Sequence, residues 1–141
     1  MPVLPSAPLV APVALSVVAA TGAFLFWLGC TALFIPPRAK AFLLGFAATP
    51  SRHYAELAVR AVVGIAFMLA APGLPVSPLF LVAGVVLIGS TAVLALLPYQ
   101  VHLRFAQRSV PAALPYLPII GVVSMAAGLG VAWSVYAASV A

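Results

Sequence analysis

The sequence predicts an all-α polytopic membrane protein with four transmembrane helices, arranged as two tandem helical hairpins with interfacial amphipathic connections. Hydrophobic residues make up 66% of the 141 residues and charged residues only 5%, whereas about 25% of an average soluble domain is charged. The apolar runs are continuous and about 20 residues long, the length of a membrane-spanning helix. A transmembrane barrel would instead show shorter segments of alternating polarity.

Proline and capping residues define the predicted elements of a single transmembrane domain, residues 1–141. A flexible, proline-rich tail is expected over 1–11. Thr49 followed by Pro50 is typical of a helix start, and Ser77 before Pro78 predicts a second one. The predicted spanning helices cover 12–35, 50–71, 77–98 and 118–138, which gives hairpin repeats over 12–72 and 78–138.

Basic residues lie in the two connections that must share one side of the membrane, between the first and second helices and between the third and fourth. The positive-inside bias makes that side cytoplasmic and places both termini outside, as in a bacterial-type inner membrane. The net charge of +5 includes no basic run, which indicates a bilayer with anionic headgroups as the partner and not nucleic acid. The residues expected to face this lipid surface are Arg38, Lys40, Arg104 and Arg108.

Both basic connections are predicted as short amphipathic helices in the headgroup layer. In the first, Phe42, Leu43 and Phe46 share one helical side; in the second, Val101 and Phe105 lie opposite basic residues. Solvated loops with incidental hydrophobic residues are the alternative.

The chain repeats itself. LGCTAL at 28–33 is similar to IGSTAV at 88–93, and VVGIAFMLAA at 62–71 aligns with IIGVVSMAAG at 119–128. Duplication of a two-helix unit predicts a pseudo-twofold axis along the membrane normal. Convergence is the alternative, because small residues are common in membrane helices.

Small residues at helical spacing predict close packing of the four helices, since helices in lipid associate where backbones can approach. Whether one stripe instead faces another chain stays open. Thr31 and Thr91 are expected to bond to carbonyls of their own helices. The predicted packing positions are Gly22, Gly29, Gly64, Gly84, Gly89, Gly121, Ser124 and Gly128.

The candidate binding site is His53, Glu56 and Arg60, spaced three and four apart on one helical face. Arg60 is expected on the order of 12 Å inside the hydrocarbon core, where a charge is a functional candidate. The aligned second-copy residues are Val110, Ala113 and Leu117.

Three roles for this face stay open. Glu56 and Arg60 can neutralise each other while Arg60 snorkels towards the headgroups. The face can bind a lipid phosphate, a quinone-like headgroup or a charged partner helix. Glu56 can also couple to protons or ions.

Catalysis and resident cofactors are not expected. Glu56 is the only carboxylate, which excludes paired acid–base chemistry. His53 and His102 lie in different connections without ligand spacing, so neither a metal site nor a haem is predicted. Cys30 is interpreted as a small packing residue.

ELAVRAVVGIAFMLAAPGL, residues 56–74, resembles a segment of the DoxX-like small four-helix bacterial membrane proteins, with Arg60 and Gly64 in the matching Arg-x-x-x-Gly positions. The lysine that usually follows the apolar run is missing here, and in that family the segment typically lies in the first helix. The resemblance implies a four-helix membrane fold and nothing about activity.

Two functions follow as hypotheses. The first is a non-catalytic accessory or assembly subunit of a larger membrane complex, bound to other subunits or to itself. The second is a small oligomeric transporter or channel that uses Glu56.

Overall fold

The computed structural model describes residues 7–45 and 48–140, with the side chains of 7–10 left out. Six α-helices follow one another in this part of the chain: α1 (Ala7–Phe34), α2 (Pro36–Gly45), α3 (Pro50–Ala70), α4 (Ser77–Leu96), α5 (Tyr99–Ala113) and α6 (Leu117–Val140). The regions that contain α1, α3, α4 and α6 are long and apolar enough to cross a membrane. The predicted all-α class with four candidate spanning helices is confirmed, and the chain is a membrane protein.

The first helix begins earlier than predicted. α1 starts at Ala7 and runs through Pro12, so the prediction of a flexible tail is wrong for residues 7–11. In an apolar run, a helix is the local structure that satisfies backbone groups, which outweighs one missing proline N–H. The remainder of the predicted tail, residues 1–6, lies outside the described residues, as does Phe46.

The two helix starts differ in how they are capped. Thr49 is the N-cap of α3, where its Oγ1 accepts a hydrogen bond from the Arg52 backbone N–H at 3.3 Å, with Pro50 in the first turn. Ser77, predicted as a cap, is instead the first residue of α4; the N-cap is Val76, which makes no side-chain bond. The short 3₁₀ turn at Ala71–Gly73 carries the chain from α3 towards α4.

Both basic connections are helical, as predicted. α2 and α5 pack against each other, and α5 continues through a 3₁₀ turn at Leu114–Tyr116 into α6. Together with the first turn of α3 they form what we call the basic end of the bundle. It carries Arg38, Lys40, Arg52, Arg104 and Arg108, all exposed except the half-buried Lys40.

The spanning helices pack in two close antiparallel pairs, α1 with α6 and α3 with α4. Gly29 and Gly121 meet in the first pair: a Cβ added to Gly29 would lie 2.6 Å from the Gly121 carbonyl oxygen. Gly22 and Gly128 meet in the same way, and Ser124 Oγ donates a hydrogen bond of 2.8 Å to the Leu25 carbonyl of α1. These five predicted packing positions are confirmed.

The second pair repeats the contact with a shifted register. A Cβ on Gly84 would lie 2.7 Å from the Gly64 carbonyl oxygen and 2.6 Å from Met68 Cγ. Met125 covers Gly29 in the same manner at 2.6 Å. The packing equivalent of Gly29 is therefore Gly84.

Gly89, which the repeated motif predicted as the counterpart of Gly29, was wrongly assigned. A Cβ added there would meet nothing within 4 Å. A similar short motif does not establish equivalent packing, because small residues are common in membrane helices. Packing depends instead on which face of a helix meets its neighbour. Thr31 and Thr91 do bond to carbonyls one turn earlier in their helices, at 2.9 Å to Trp27 and 2.7 Å to Leu87.

The four spanning helices do not close into a symmetric ring. α1 also packs along α3, but α4 and α6 make little direct contact in the described part of the chain. A cleft of about 550 Å³ separates α4 from α6. Its walls include Phe80 and Ala83 of α4 and Ala126, Gly130 and Trp133 of α6.

Candidate functional site

Five side chains from three helices form a continuous series of polar contacts near the basic end, which we call the polar chain. It runs His53, His102, Glu56, Arg60 and Ser90. Three members come from α3, one from α5 and one from α4. The polar chain therefore ties the interfacial helix α5 to the α3–α4 pair.

The polar chain begins with two histidines. His53 lies in the first turn of α3 and is only 1% exposed. Its Nδ1 is 2.8 Å from Nδ1 of His102 on α5. A neutral imidazole has one donor and one acceptor nitrogen, so one ring donates here and the other accepts. Two protonated rings would bring two donors together at this distance.

Glu56 connects the two histidines to Arg60 and, through it, to Ser90. Its Oε1 lies 3.3 Å from Arg60 Nη1, and its Oε2 lies 3.8 Å from His102 Nε2. The second contact is an ion pair only when His102 is protonated. Since Glu56 is the single acid in the sequence, its carboxylate is the negative charge that this cluster can offer to a proton or a cation.

Arg60 of α3 connects the polar chain to its last member, Ser90 of α4. Its Nη2 donates to Ser90 Oγ at 2.6 Å, and that hydroxyl donates onward to the Leu87 carbonyl at 3.0 Å. The guanidinium is thus held between Glu56, one turn nearer the basic end, and a serine on the neighbouring helix. The contact between Glu56 and Arg60 that the i, i+4 spacing predicted is present. Arg60 also bonds to a neighbouring helix, a contact that the sequence did not indicate.

Two polar atoms of the chain are buried without a hydrogen-bond partner, Glu56 Oε2 and Arg60 Nε. Buried polar groups in native proteins are usually paired. Glu56 Oε2 faces His102 Nε2 at 3.8 Å, which is beyond hydrogen-bond distance, so this is the longest contact of the polar chain.

Among the residues that the structure describes, no group of three histidine, cysteine or acidic side chains is placed to hold a metal ion. The polar chain explains why. His102 faces His53 through Nδ1 and Glu56 through Nε2, and the two nitrogens of one imidazole point in different directions. The three donors consequently do not converge on one point.

The structure brings the three predicted residues into one cluster, but they do not all contact one another. Glu56 and Arg60 are in contact, whereas His53 is connected to them only through His102. Sequence reasoning missed His102 and Ser90 as members of the site. A usable signal was present for His102, because each basic connection region contains one histidine and the two connections were predicted to share one side of the membrane.

In the second sequence repeat, the position aligned with Arg60 is the apolar Leu117 of α6. Leu117 is 4% exposed and packs with Ala32 and Ala39. The polar chain therefore occurs on one side of the bundle only, as the sequence predicted.

Comparison of the chain with protein-family models, with curated proteins and with solved structures finds no match. The resemblance to DoxX-like proteins stays a prediction.

Proposed function

We propose that this chain is a non-catalytic accessory or assembly subunit of a larger membrane complex. We further propose that it resides in a bacterial-type inner membrane with the basic end in the cytoplasm and both termini outside. The exposed Arg38, Arg104 and Arg108 at one end support this orientation, because basic residues accumulate on the cytoplasmic side and attract anionic headgroups.

The observation that carries the subunit function is the open cleft between α4 and α6. Its 550 Å³ is lined by small side chains, including Ala83, Ala126 and Gly130, together with aromatic rings. A Cβ added to Gly130 would meet nothing within 4 Å. Small residues let another helix approach closely in lipid, so this surface has the shape and chemistry that a partner helix requires.

The location of the polar chain also favours a subunit over a pore. In the whole sequence, the charged residues and histidines lie between Arg38 and Arg60 or between His102 and Arg108. The half of the bundle opposite the basic end therefore offers no carboxylate, histidine or basic group that could continue a transmembrane path. The contacts of the polar chain instead join helices of the same molecule.

A transporter or channel that uses Glu56 is the second candidate, and the unbroken contacts from His53 to Glu56 favour it. Buried ionisable chains in membranes often carry protons. This function predicts that Glu56→Gln abolishes proton or ion flux in reconstituted vesicles. The subunit function predicts that the purified protein alone gives no flux above empty vesicles.

A matched pair of glycine substitutions tests the subunit function. Gly130→Leu fills the cleft, and Gly89→Leu adds the same bulk where a Cβ also meets nothing within 4 Å but outside the cleft. We expect chains that co-purify with the native protein from mild detergent to be lost with Gly130→Leu and kept with Gly89→Leu. Equal recovery with both variants would contradict the cleft as the binding surface.

A further inference from the structure

One face of α3 lines a series of cavities along almost the whole helix. The residues of this face recur at spacings of three and four: Arg52, Ala55, Val59, Val62, Ala66 and Leu69. The first two line a cavity of about 320 Å³ beside α2. The others line cavities of about 500 and 400 Å³ beside α1, which share Val17 and Val62.

The two cavities beside α1 adjoin at Val17 and Val62, and the cavity at Arg52 lies on the same α3 face, one turn nearer the basic end. We call this row of cavities the groove. Val59, Val62 and Leu69 are 61%, 54% and 52% exposed. From Arg52 to Leu69 the face covers about 26 Å at 1.5 Å per residue, close to the ~30 Å of a hydrocarbon core. A lipid chain that enters at the basic end would therefore fit within the length of the groove.

The two ends of the groove differ in charge. Arg52 lies at the basic end, where one of its five N–H donors reaches the Gly45 carbonyl at 3.4 Å. The single acid of the sequence, Glu56, instead contacts Arg60 and His102. The Arg52 guanidinium is thus not neutralised by a carboxylate side chain, and Arg52 is exposed in the first turn of α3.

We propose that this groove is a binding site for one anionic phospholipid, with its phosphate on Arg52 and one acyl chain against the α3 face as far as Val62. Guanidinium binds phosphate by paired, charge-assisted hydrogen bonds. The wall beyond Arg52 is almost entirely apolar, and the Nη atoms of Arg60 are bonded to Glu56 and Ser90. The site is separate from the α4–α6 cleft and does not depend on the subunit function.

Native mass spectrometry of the purified chain tests the site by titration with phosphatidylglycerol and, separately, with phosphatidylethanolamine. We expect Arg52→Gln to weaken phosphatidylglycerol binding about tenfold, the equivalent of one charge-assisted hydrogen bond of about 1.4 kcal/mol. Arg108→Gln removes the same charge from α5, outside the groove, and should lower phosphatidylglycerol binding by much less than tenfold, because it reduces only the general attraction of the basic end for anionic headgroups. Equal losses with both variants would show general attraction to a basic surface and overturn the proposal.

The acyl-chain half of the site has its own matched pair. Val62→Phe narrows the groove, and Val122→Phe adds the same bulk to α6 at a similar exposure, 58% against 54%. We expect only the former to lower phosphatidylglycerol retention. Unchanged retention with Val62→Phe would exclude the groove as the binding site.

A fluorescence measurement on the otherwise native bundle guards against misfolding of these variants. Trp27 contacts Phe24, a groove residue, with ring centroids 5.9 Å apart. With Trp133→Phe as background, phosphatidylglycerol brominated on its acyl chain should quench Trp27 more than equally brominated phosphatidylethanolamine at the same mole fraction. Equal quenching by the two lipids would refute a headgroup-selective site.

Discussion

Nδ1 of His53 and Nδ1 of His102 lie 2.8 Å apart, although the residues are separated by 49 positions in the sequence. This bond joins the interfacial helix α5 to the start of α3. Because His53 is 1% exposed, loss of its partner would leave a buried nitrogen unpaired.

The histidine pair can be tested through the mobility of α5. His102→Ala should destabilise the docking of α5 by about 1–3 kcal/mol, the cost of a buried unsatisfied polar group. Hydrogen–deuterium exchange of residues 99–113 in nanodiscs should then become faster. Arg104→Ala, an exposed change on the same helix, should leave the exchange unaltered; equal acceleration by both would show that the bond does not hold α5.

The ion pair of Glu56 and Arg60 predicts strong coupling between the two positions. Glu56→Gln replaces the counter-ion of Arg60 with a neutral amide, and Arg60→Gln leaves a carboxylate without its cation. Each should lower the free energy of unfolding, and the double variant should lose less than the sum of the two, by about 0.5–3 kcal/mol. Thermal or denaturant unfolding in detergent measures the cycle. Additive losses would mean that the pair makes no net contribution.

The α1–α6 contact predicts a sharp difference between two nearby glycines of one helix. A Cβ on Gly128 would lie 2.6 Å from the Gly22 carbonyl oxygen and 2.6 Å from the Phe26 nitrogen, whereas a Cβ on Gly130 meets nothing within 4 Å. Gly128→Ala should therefore destabilise the protein by about 1–3 kcal/mol through overpacking. Gly130→Ala should be neutral or slightly stabilising, because alanine is the better helix former. Unfolding midpoints of the two variants in the same detergent provide the comparison.

The proposed orientation predicts which side of the membrane reacts with an impermeant maleimide. With Cys30→Ala as background, a Gly73→Cys variant places a thiol in the turn between α3 and α4, and a Gln107→Cys variant places one on α5. In intact cells the first should label directly and the second only after permeabilisation. The reverse pattern would invert the topology and with it the cytoplasmic position of the basic end.

Much of the fold was predictable because the bilayer leaves few options. Twenty-residue apolar runs specify spanning helices, and Thr49–Pro50 specifies a helix start almost to the residue. The start of α1 was not predictable from Pro12, because backbone satisfaction in lipid outweighs the local penalty of proline. The packing register was also hidden, since Gly84 and Gly89 are the same residue type and differ only in the direction they face.

The candidate site was predictable on α3 and only weakly indicated on α5, where one histidine lies in the second basic connection. His53, Glu56 and Arg60 share a face by helical periodicity alone, which is a local property of the sequence. Ser90 joins them through the packing of α4 against α3, and His102 through its side-chain contacts with His53 and Glu56. Those contacts depend on tertiary structure, which a single sequence records only indirectly.

The pairing of α1 with α6 orders the events of biosynthesis. α1 is synthesised well before α6, so the α1 face that carries Gly22 and Gly29 stays uncovered in the bilayer until α6 has been inserted. The α3–α4 hairpin, whose members are adjacent in the chain, can close while synthesis continues. Truncation within α6 would therefore leave part of the α1 contact face uncovered. Such exposed contact faces are what membrane quality-control proteases encounter in unfinished chains.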